Sequence, residues 1–163
     1  MYARPCIDSL DFARNGRLIS AQVPFAELPR LQELLDSPQG VLDYILQGGM
    51  DHQGRPILDV SLHGCCQLRC QRCLGALDYA IQFEMRLLLC DQAGLDELDD
   101  GEEDFDAILA EEHMDVVALL EDEILLGLPI APRHETGACQ AAESKYSKEG
   151  RHPFAALEKL KHN

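Results

Sequence analysis

The sequence predicts an α+β fold: a mainly antiparallel sheet, arranged as a meander or a partly closed barrel, with an N-terminal helix, a helix near residues 116–128 and a short C-terminal helix. Three observations predict this fold. Several stretches alternate between apolar and polar residues, which is typical of antiparallel sheet with one solvated face. Other stretches have apolar residues at spacings of three and four, as in amphipathic helices. The segments between strands are too short for the helical crossovers of a parallel sheet.

The first predicted elements are a strand and a helix. Residues 17–23 alternate in character and predict a short strand, which Pro24 ends. Residues 25–36 carry leucines at helical spacing, and Pro29 is tolerated because it lies in the first turn of this N-terminal helix. Residues 37–40, Ser-Pro-Gln-Gly, are typical of a turn and end the element.

Three further strands are predicted in the middle of the chain. Residues 41–47 and 57–63 alternate in character, and residues 51–54, Asp-His-Gln-Gly, supply a turn between them. The clearest alternation runs over residues 77–89, where every second residue is apolar. These strands provide the antiparallel sheet.

The C-terminal part predicts one helix, a linker and a tail. Asp115 can cap a helix over residues 116–128, with Glu121, Asp122 and Glu123 largely on its polar side. Residues 140–163 contain a polar linker and a short amphipathic piece with Phe154, Leu157 and Leu160 on one face. We therefore expect a single α+β domain over residues 1–139 and a linker with a short tail over 140–163.

The chain is strongly acidic. Its 163 residues include 14 Lys and Arg against 29 Asp and Glu, a net charge of −15, and residues 91–112 hold eleven acidic residues with no Lys or Arg. Such a block favours a solvated acidic loop over residues 91–112, or a surface that attracts a basic partner. It disfavours RNA binding through phosphate contacts at this place, because such contacts need clustered Lys and Arg.

The sequence indicates neither export nor membrane insertion. No apolar run approaches the roughly 18 residues that a membrane span needs, and the N-terminal residues lack the pattern of a signal peptide. Seven cysteines then predict reduced thiols and a cytoplasmic protein, with no membrane partner.

The cysteine spacing indicates a metal site. Cys70 and Cys73 form a C-x-x-C pair between two predicted strands, where both thiolates can point at one tetrahedral ion. His134 and Cys139 follow the predicted helix and can supply the other two ligands. A Cys3His set of these four residues suits a structural zinc ion and would link the end of the helix to the sheet. No other cofactor is indicated.

Other interpretations of these residues stay open. The C-x-x-C pair could be a thiol-redox motif, although its flanking strands differ from the helix N-terminus that such motifs prefer. His134 could be an ordinary loop histidine, and Cys65 and Cys66 ordinary thiols. The sequence contains no phosphate-binding glycine loop, nucleophile elbow or zinc-protease helix. Catalysis therefore has no positive support, and no small-molecule substrate is indicated.

Several motifs resemble the YceD-like family, the bacterial large ribosomal RNA subunit accumulation proteins. Residues 68–73, Leu-Arg-Cys-Gln-Arg-Cys, resemble the central C-x-R-C signature of that family. Residues 121–132 are similar to its "EDEIxLxLPxxP" segment, and His134 and Cys139 follow at positions where proteobacterial members carry a His and a Cys. Residues 152–157 resemble its "NPFAxL" tail, with His152 in place of the common Asn.

The resemblance implies a ribosome-assembly factor that supports the synthesis, processing or stability of 23S ribosomal RNA by binding and not by catalysis. The implied partner is a ribosomal protein or an assembly factor, and ribosomal RNA could contact limited basic spots at Arg69, Arg72, Arg86, Lys159 and Lys161. The alternatives are a metal-dependent RNA-processing enzyme, or a subunit of one, and a C-x-x-C thiol-redox protein.

Overall fold

The computed structural model describes residues 4–97 and 106–139. The strands in these ranges are β1 (Cys6–Ile7), β2 (Leu18–Pro24), β3 (Leu35–Ser37), β4 (Val41–Met50), β5 (Pro56–Arg69), β6 (Ala76–Cys90), β7 (Asp106–Leu109) and β8 (Met114–Asp115). The helices are α1 (Ser9–Arg14), α2 (Pro29–Gln32), α3 (Gln92–Glu97) and α4 (Val116–Gly127), and a 3₁₀ turn over Phe25–Glu27 precedes α2.

The main sheet has the order β2-β4-β5-β6-β7, and the short β3 pairs with the end of β5. Strands β4, β5 and β6 follow one another through hairpins, so the predicted antiparallel meander and the α+β class are confirmed. The exception is β7, which pairs parallel to β6. The described strands do not close into a barrel, and β1 pairs with β8 outside this sheet.

One face of the sheet forms the core. In β4 the side chains of Leu42, Tyr44 and Leu46 are buried, whereas the alternate residues Asp43 and Ile45 are exposed. This is the period of two that the sequence shows. Burying a leucine side chain contributes about 1.5–3 kcal/mol, so the inner face strongly determines the strand register.

The predicted helix near residues 116–128 is confirmed as α4. The Asp115 carboxylate accepts hydrogen bonds from the N–H groups of Val117 and Ala118, at 2.9 and 3.1 Å, as an N-cap residue does. One prediction about this helix is wrong: Glu121 and Glu123 are buried instead of facing solvent. The burial of Glu121 has a specific partner in α2, described below.

The N-terminal helix is shorter than the predicted range 25–36. The 3₁₀ turn and α2 cover only part of that range, and Leu35–Ser37 is strand β3. The physical reason is tertiary pairing, because Leu35 aligns with Leu68 of β5 and is buried there. The periodicity of the leucines alone does not show this competition.

The structure differs from the predicted elements at three other places. Helix α1 was not predicted, and β5 extends to Arg69 instead of ending at residue 63. Within the acidic segment 91–112, the described residues include α3 and β7. The predicted linker, tail and C-terminal helix over 140–163 lie outside the described residues.

Candidate metal centre

The turn between β5 and β6 carries the C-x-x-C pair, as the sequence predicts. The N–H of Cys70 donates to the carbonyl of Gly75, and the N–H of Leu74 donates to the carbonyl of Cys70, both at 2.9 Å. Leu74 adopts a φ of 61°, in the left-handed region. This tight turn closes the 14-residue β5 onto the 15-residue β6 and keeps Cys70 and Cys73 together at its tip.

The segment after α4 lies against this turn. The N–H of Gln71 donates to the carbonyl of Pro132 at 2.9 Å, and the Arg72 guanidinium donates to the carbonyl of Glu135 at 3.4 Å. These two contacts place the loop that holds His134 and Cys139 beside the turn. Residues separated by about sixty positions in the chain are therefore neighbours in space.

The structure brings the four predicted ligands together. One donor atom from each of Cys70, Cys73, His134 and Cys139 lies within 4.8 Å of the donors of the other three. The Cys70 and Cys139 sulfurs are 3.7 Å apart, and the Cys73 sulfur is 3.5 Å from Nδ1 of His134. The cluster could hold a metal ion.

The separations suit a tetrahedral zinc site. Zinc binds sulfur at about 2.3 Å and imidazole nitrogen at about 2.0–2.1 Å, so tetrahedral angles place two sulfur ligands about 3.8 Å apart and a sulfur and a nitrogen about 3.6 Å apart. The observed 3.7 and 3.5 Å agree with these values. Three thiolates and one imidazole are also donors that zinc prefers.

A hydrogen bond determines which nitrogen of His134 is available. Nε2 lies 2.9 Å from the carbonyl oxygen of Ala76, which only accepts hydrogen bonds, so Nε2 carries the proton. In the neutral ring Nδ1 is then the free acceptor, 3.5 Å from the Cys73 sulfur and available as a metal ligand. Backbone support of this kind on the far nitrogen is the usual second contact of a metal-bound histidine.

The surroundings favour thiolates at Cys70 and Cys139. The pKa of the buried Cys70 thiol is lowered to about 5, chiefly because the N–H of Cys73 donates to its sulfur, and despite burial, which acts in the opposite direction. The Arg72 guanidinium lowers the pKa of Cys139 by a hydrogen bond. Hydrogen bonds to Cys139 and Cys70 raise the pKa of His134. The pKa of Cys73 is raised in spite of the hydrogen bond from the Gly75 N–H, because hydrogen bonding with Cys139 and burial act against its thiolate. Negative charge is thus stabilised on Cys70 and Cys139 before any cation binds.

Comparison with known protein families finds a match. The model of a family described as large ribosomal RNA subunit accumulation protein YceD matches residues 58–161 of the chain. The match spans more than half of the sequence and includes both C-x-x-C cysteines, α4, His134 and Cys139.

The chain belongs to the YceD family.

The resemblance noted in the sequence is thereby confirmed, and the family description assigns the chain a role in large ribosomal subunit accumulation. No curated protein and no solved structure matches the chain. No helix among the described residues is both long and apolar enough to span a membrane.

The predicted basic contact residues of this YceD member are spread out. Arg69 pairs with Asp36 at 3.6 Å, and Arg86 pairs with Asp59 at 2.7 Å across the sheet. Arg72 lies beside the cysteine cluster. Lys159 and Lys161 lie outside the described residues. The three described arginines each have an acidic or thiolate neighbour.

Sequence reasoning missed two groups. The carbonyl of Ala76 orients His134, but a backbone acceptor has no signature in the sequence. Glu121 is 2% exposed and accepts hydrogen bonds from the N–H groups of Arg30 and Leu31, at 2.7 and 3.0 Å. The sequence indicates the need for such an acceptor, because a helix that begins at Pro29 has N–H groups in its first turn without partners inside the helix. It does not indicate that Glu121 fills this role.

Proposed function

We propose that this YceD-family chain supports the accumulation of 23S ribosomal RNA as a non-catalytic binding factor, and that Cys70, Cys73, His134 and Cys139 hold a structural zinc ion. The observation that carries the zinc part is that all four donor atoms lie within 4.8 Å of one another, with the Cys70–Cys139 and Cys73–His134 pairs at 3.7 and 3.5 Å. The ribosomal part rests on family membership. A zinc ion bound there would cross-link two segments that are far apart in the sequence.

The completeness of the donor set favours a structural metal over a catalytic one. Catalytic zinc sites keep three protein ligands and leave the fourth position to water or substrate. Here four protein side chains offer ligands, so no position remains for a reacting water. This supports binding over the alternative of a metal-dependent RNA-processing enzyme.

The location of the cluster also separates it from a thiol-redox site. The lowered pKa of Cys70 is common to metal ligands and redox cysteines, so it does not distinguish them. Cys70 is fully buried, however, and lies in a turn between strands with a third cysteine and a histidine around it. An attacking thiol needs access to its target, and burial restricts that access for Cys70, the cysteine with the lowered pKa of the C-x-x-C pair.

The charge of the chain supports a basic protein partner. A net charge of −15 repels the phosphates of RNA and attracts Lys- and Arg-rich surfaces. We therefore propose that a basic ribosomal protein or an assembly factor is the direct partner, with RNA contact limited to isolated arginines. Such a partner would be met in the cytoplasm, where ribosomes assemble.

Metal content tests the zinc part. Purified protein should contain one zinc ion per chain by elemental analysis, and Cys73→Ser and His134→Ala should each reduce zinc binding by at least about tenfold. Cys65→Ser is the matched control, because Cys65 is exposed and lies outside the cluster. Zinc-free wild-type protein from zinc-replete cells, or full zinc binding by both ligand variants, would contradict the proposal.

Ribosomal RNA tests the function. Depleting the protein in its host should lower the ratio of 23S to 16S ribosomal RNA, and wild-type protein and Cys65→Ser should restore it. Cys73→Ser should restore it less well, because the linked fold is lost. A normal ratio after depletion would refute the ribosomal role, and cleavage of RNA by the pure protein would refute the non-catalytic role.

A further inference from the structure

An apolar groove lies next to the cysteine cluster. It has a volume of about 530 Å³ and is formed by the segment after α2, the end of β5 with its turn, and the end of α4 with the following proline loop. Its lining is mixed: Glu33, Arg69 and Gln71 are polar, and the apolar residues include Leu34, Leu68, Leu74, Leu125, Leu128 and Ile130. The volume lies within the range of pockets that hold a compact apolar group.

Three of these side chains are exposed in the described structure. Leu34, Leu74 and Ile130 are 48%, 67% and 103% exposed. Leu74 also has a positive φ, which glycine would adopt at lower cost, so the backbone does not explain a leucine there. These exposed apolar side chains on one groove offer a surface that another apolar segment can bury.

The C-terminal residues of the same chain have the matching chemistry. Residues 153–161, Pro-Phe-Ala-Ala-Leu-Glu-Lys-Leu-Lys, place Phe154, Leu157 and Leu160 three positions apart, as on one face of a helix. All four lysines of the protein lie in residues 140–163, which carry a net charge of +2, whereas residues 1–139 carry −17. Opposite charges therefore favour contact between this segment and the acidic body.

The connection has the required length and starting point. The described chain ends at Cys139, in the cluster whose turn residues Gln71 and Leu74 line the groove. Thirteen residues, 140–152, separate Cys139 from Pro153. A flexible linker of this length has an r.m.s. span of roughly 20 Å, so the groove is within its reach at high effective concentration.

We propose that residues 153–161 occupy this groove in the same molecule, with Phe154, Leu157 and Leu160 against its leucines and Lys159 or Lys161 toward Glu33, an exposed residue of its lining. A second copy of the chain is a weaker candidate, because two bodies of charge −17 repel each other. The inference rests on the groove and on the segment, and is independent of the proposed role in ribosomal RNA accumulation.

Photocross-linking of the full chain tests the inference. Phe154 is replaced by benzoylphenylalanine, and cross-linked peptides are identified by mass spectrometry. We expect cross-links within one chain to peptides containing Leu74 or Ile130, at a yield that does not change with protein concentration. Cross-links only between chains, with a yield that rises with concentration, would overturn the proposal in favour of a second copy. Cross-links elsewhere, or none, would also overturn it.

Matched variants locate the contact. Ile130→Glu should reduce the yield by about tenfold, since it replaces an apolar contact by a charge. Leu126→Glu is the control and should leave the yield unchanged, because Leu126 is 80% exposed near the end of α4 but lies outside the groove. Both changes are at exposed positions, so unfolding urea midpoints close to that of the parent protein can verify the fold. Equal yields in the two variants would refute docking in the groove.

These outcomes are separate from those of the proposed function. Groove cross-links in a protein without zinc, or without effect on ribosomal RNA, would refute the proposed function and support the docking. Zinc binding and an altered ribosomal RNA ratio without groove cross-links would support the proposed function and refute the docking.

Discussion

Glu121 connects α4 to α2 through a buried carboxylate. It accepts hydrogen bonds from the N–H groups of Arg30 and Leu31, and from Nε of Arg30 at 2.9 Å. The two N–H groups belong to the first turn of α2, where a helix has no internal acceptors. The Arg30 guanidinium also pairs with Asp122 and with the carbonyl of Ala118, so one arginine joins both helices.

Glu121→Ala should therefore destabilise the protein by about 2–4 kcal/mol, because it leaves the N–H groups of Arg30 and Leu31 without an acceptor and removes one of the two carboxylates that pair with the Arg30 guanidinium. Glu121→Gln should cost less, since its carbonyl oxygen can still accept a hydrogen bond. Urea unfolding followed by circular dichroism measures both changes.

Asp122→Asn is the matched control at the residue scale. Its side chain is 53% exposed, and an exposed ion pair contributes about 0–1 kcal/mol. If Glu121→Ala and Asp122→Asn lowered the free energy of unfolding equally, the buried hydrogen bonds of Glu121 would not be important for stability.

At the scale of elements, α1 packs closely on β4. A Cβ atom at Gly48 would lie 2.4 Å from the carbonyl oxygen of Phe12 and 2.8 Å from Cα of Ala13. Only glycine allows the helix backbone to approach the strand this closely. Phe12 and Ala13 are themselves buried, so the contact belongs to the core.

Gly48→Ala should destabilise the protein by about 1–3 kcal/mol or more, because α1 or β4 must shift to accommodate the methyl group. Gly49→Ala is the control in the same strand, where the nearest atom to a new Cβ is Cγ1 of Ile57 at 3.7 Å, an ordinary contact. Its effect should stay within about 1 kcal/mol. Thermal unfolding of both variants measures the difference, and similar midpoints would contradict this packing.

At the scale of the whole molecule, the cysteine cluster joins two segments that are far apart in the chain. Sixty residues lie between Cys73 and His134, and the turn and the loop share the Gln71–Pro132 and Arg72–Glu135 hydrogen bonds. If the proposed zinc ion binds, its binding free energy adds to folding, because the unfolded chain does not hold the four donors together.

The thermal midpoint of the wild-type protein should accordingly rise with free zinc and fall with chelator. At a free concentration of 100 times Kd, the gain in the free energy of unfolding is about 2.7 kcal/mol. Cys73→Ser should lose this dependence, whereas Cys65→Ser should keep it. When zinc is removed, protection from hydrogen exchange should decrease first in residues 70–75 and 132–139. A zinc-independent midpoint in the wild-type protein would refute this linkage.

The local patterns of the sequence determined a large part of this architecture. The alternation over residues 77–89 became β6, the capping residue Asp115 begins α4, and the spacing of Cys70 and Cys73 placed them in a hairpin turn. These features follow from contacts a few residues apart, namely the period of a strand, an N-cap hydrogen bond and a tight turn. The sequence also named the four residues that the structure brings together.

Only the tertiary structure decided the features that depend on distant contacts. Leu35 became part of a strand because Leu68 pairs with it, and Glu121 became buried because α2 offers N–H groups some ninety residues away. The parallel pairing of β7 with β6 and the orientation of His134 by the Ala76 carbonyl also depend on contacts between distant parts of the chain. Hydrophobic periodicity reports which face of an element is apolar, but it contains no information about which distant backbone group will meet that face.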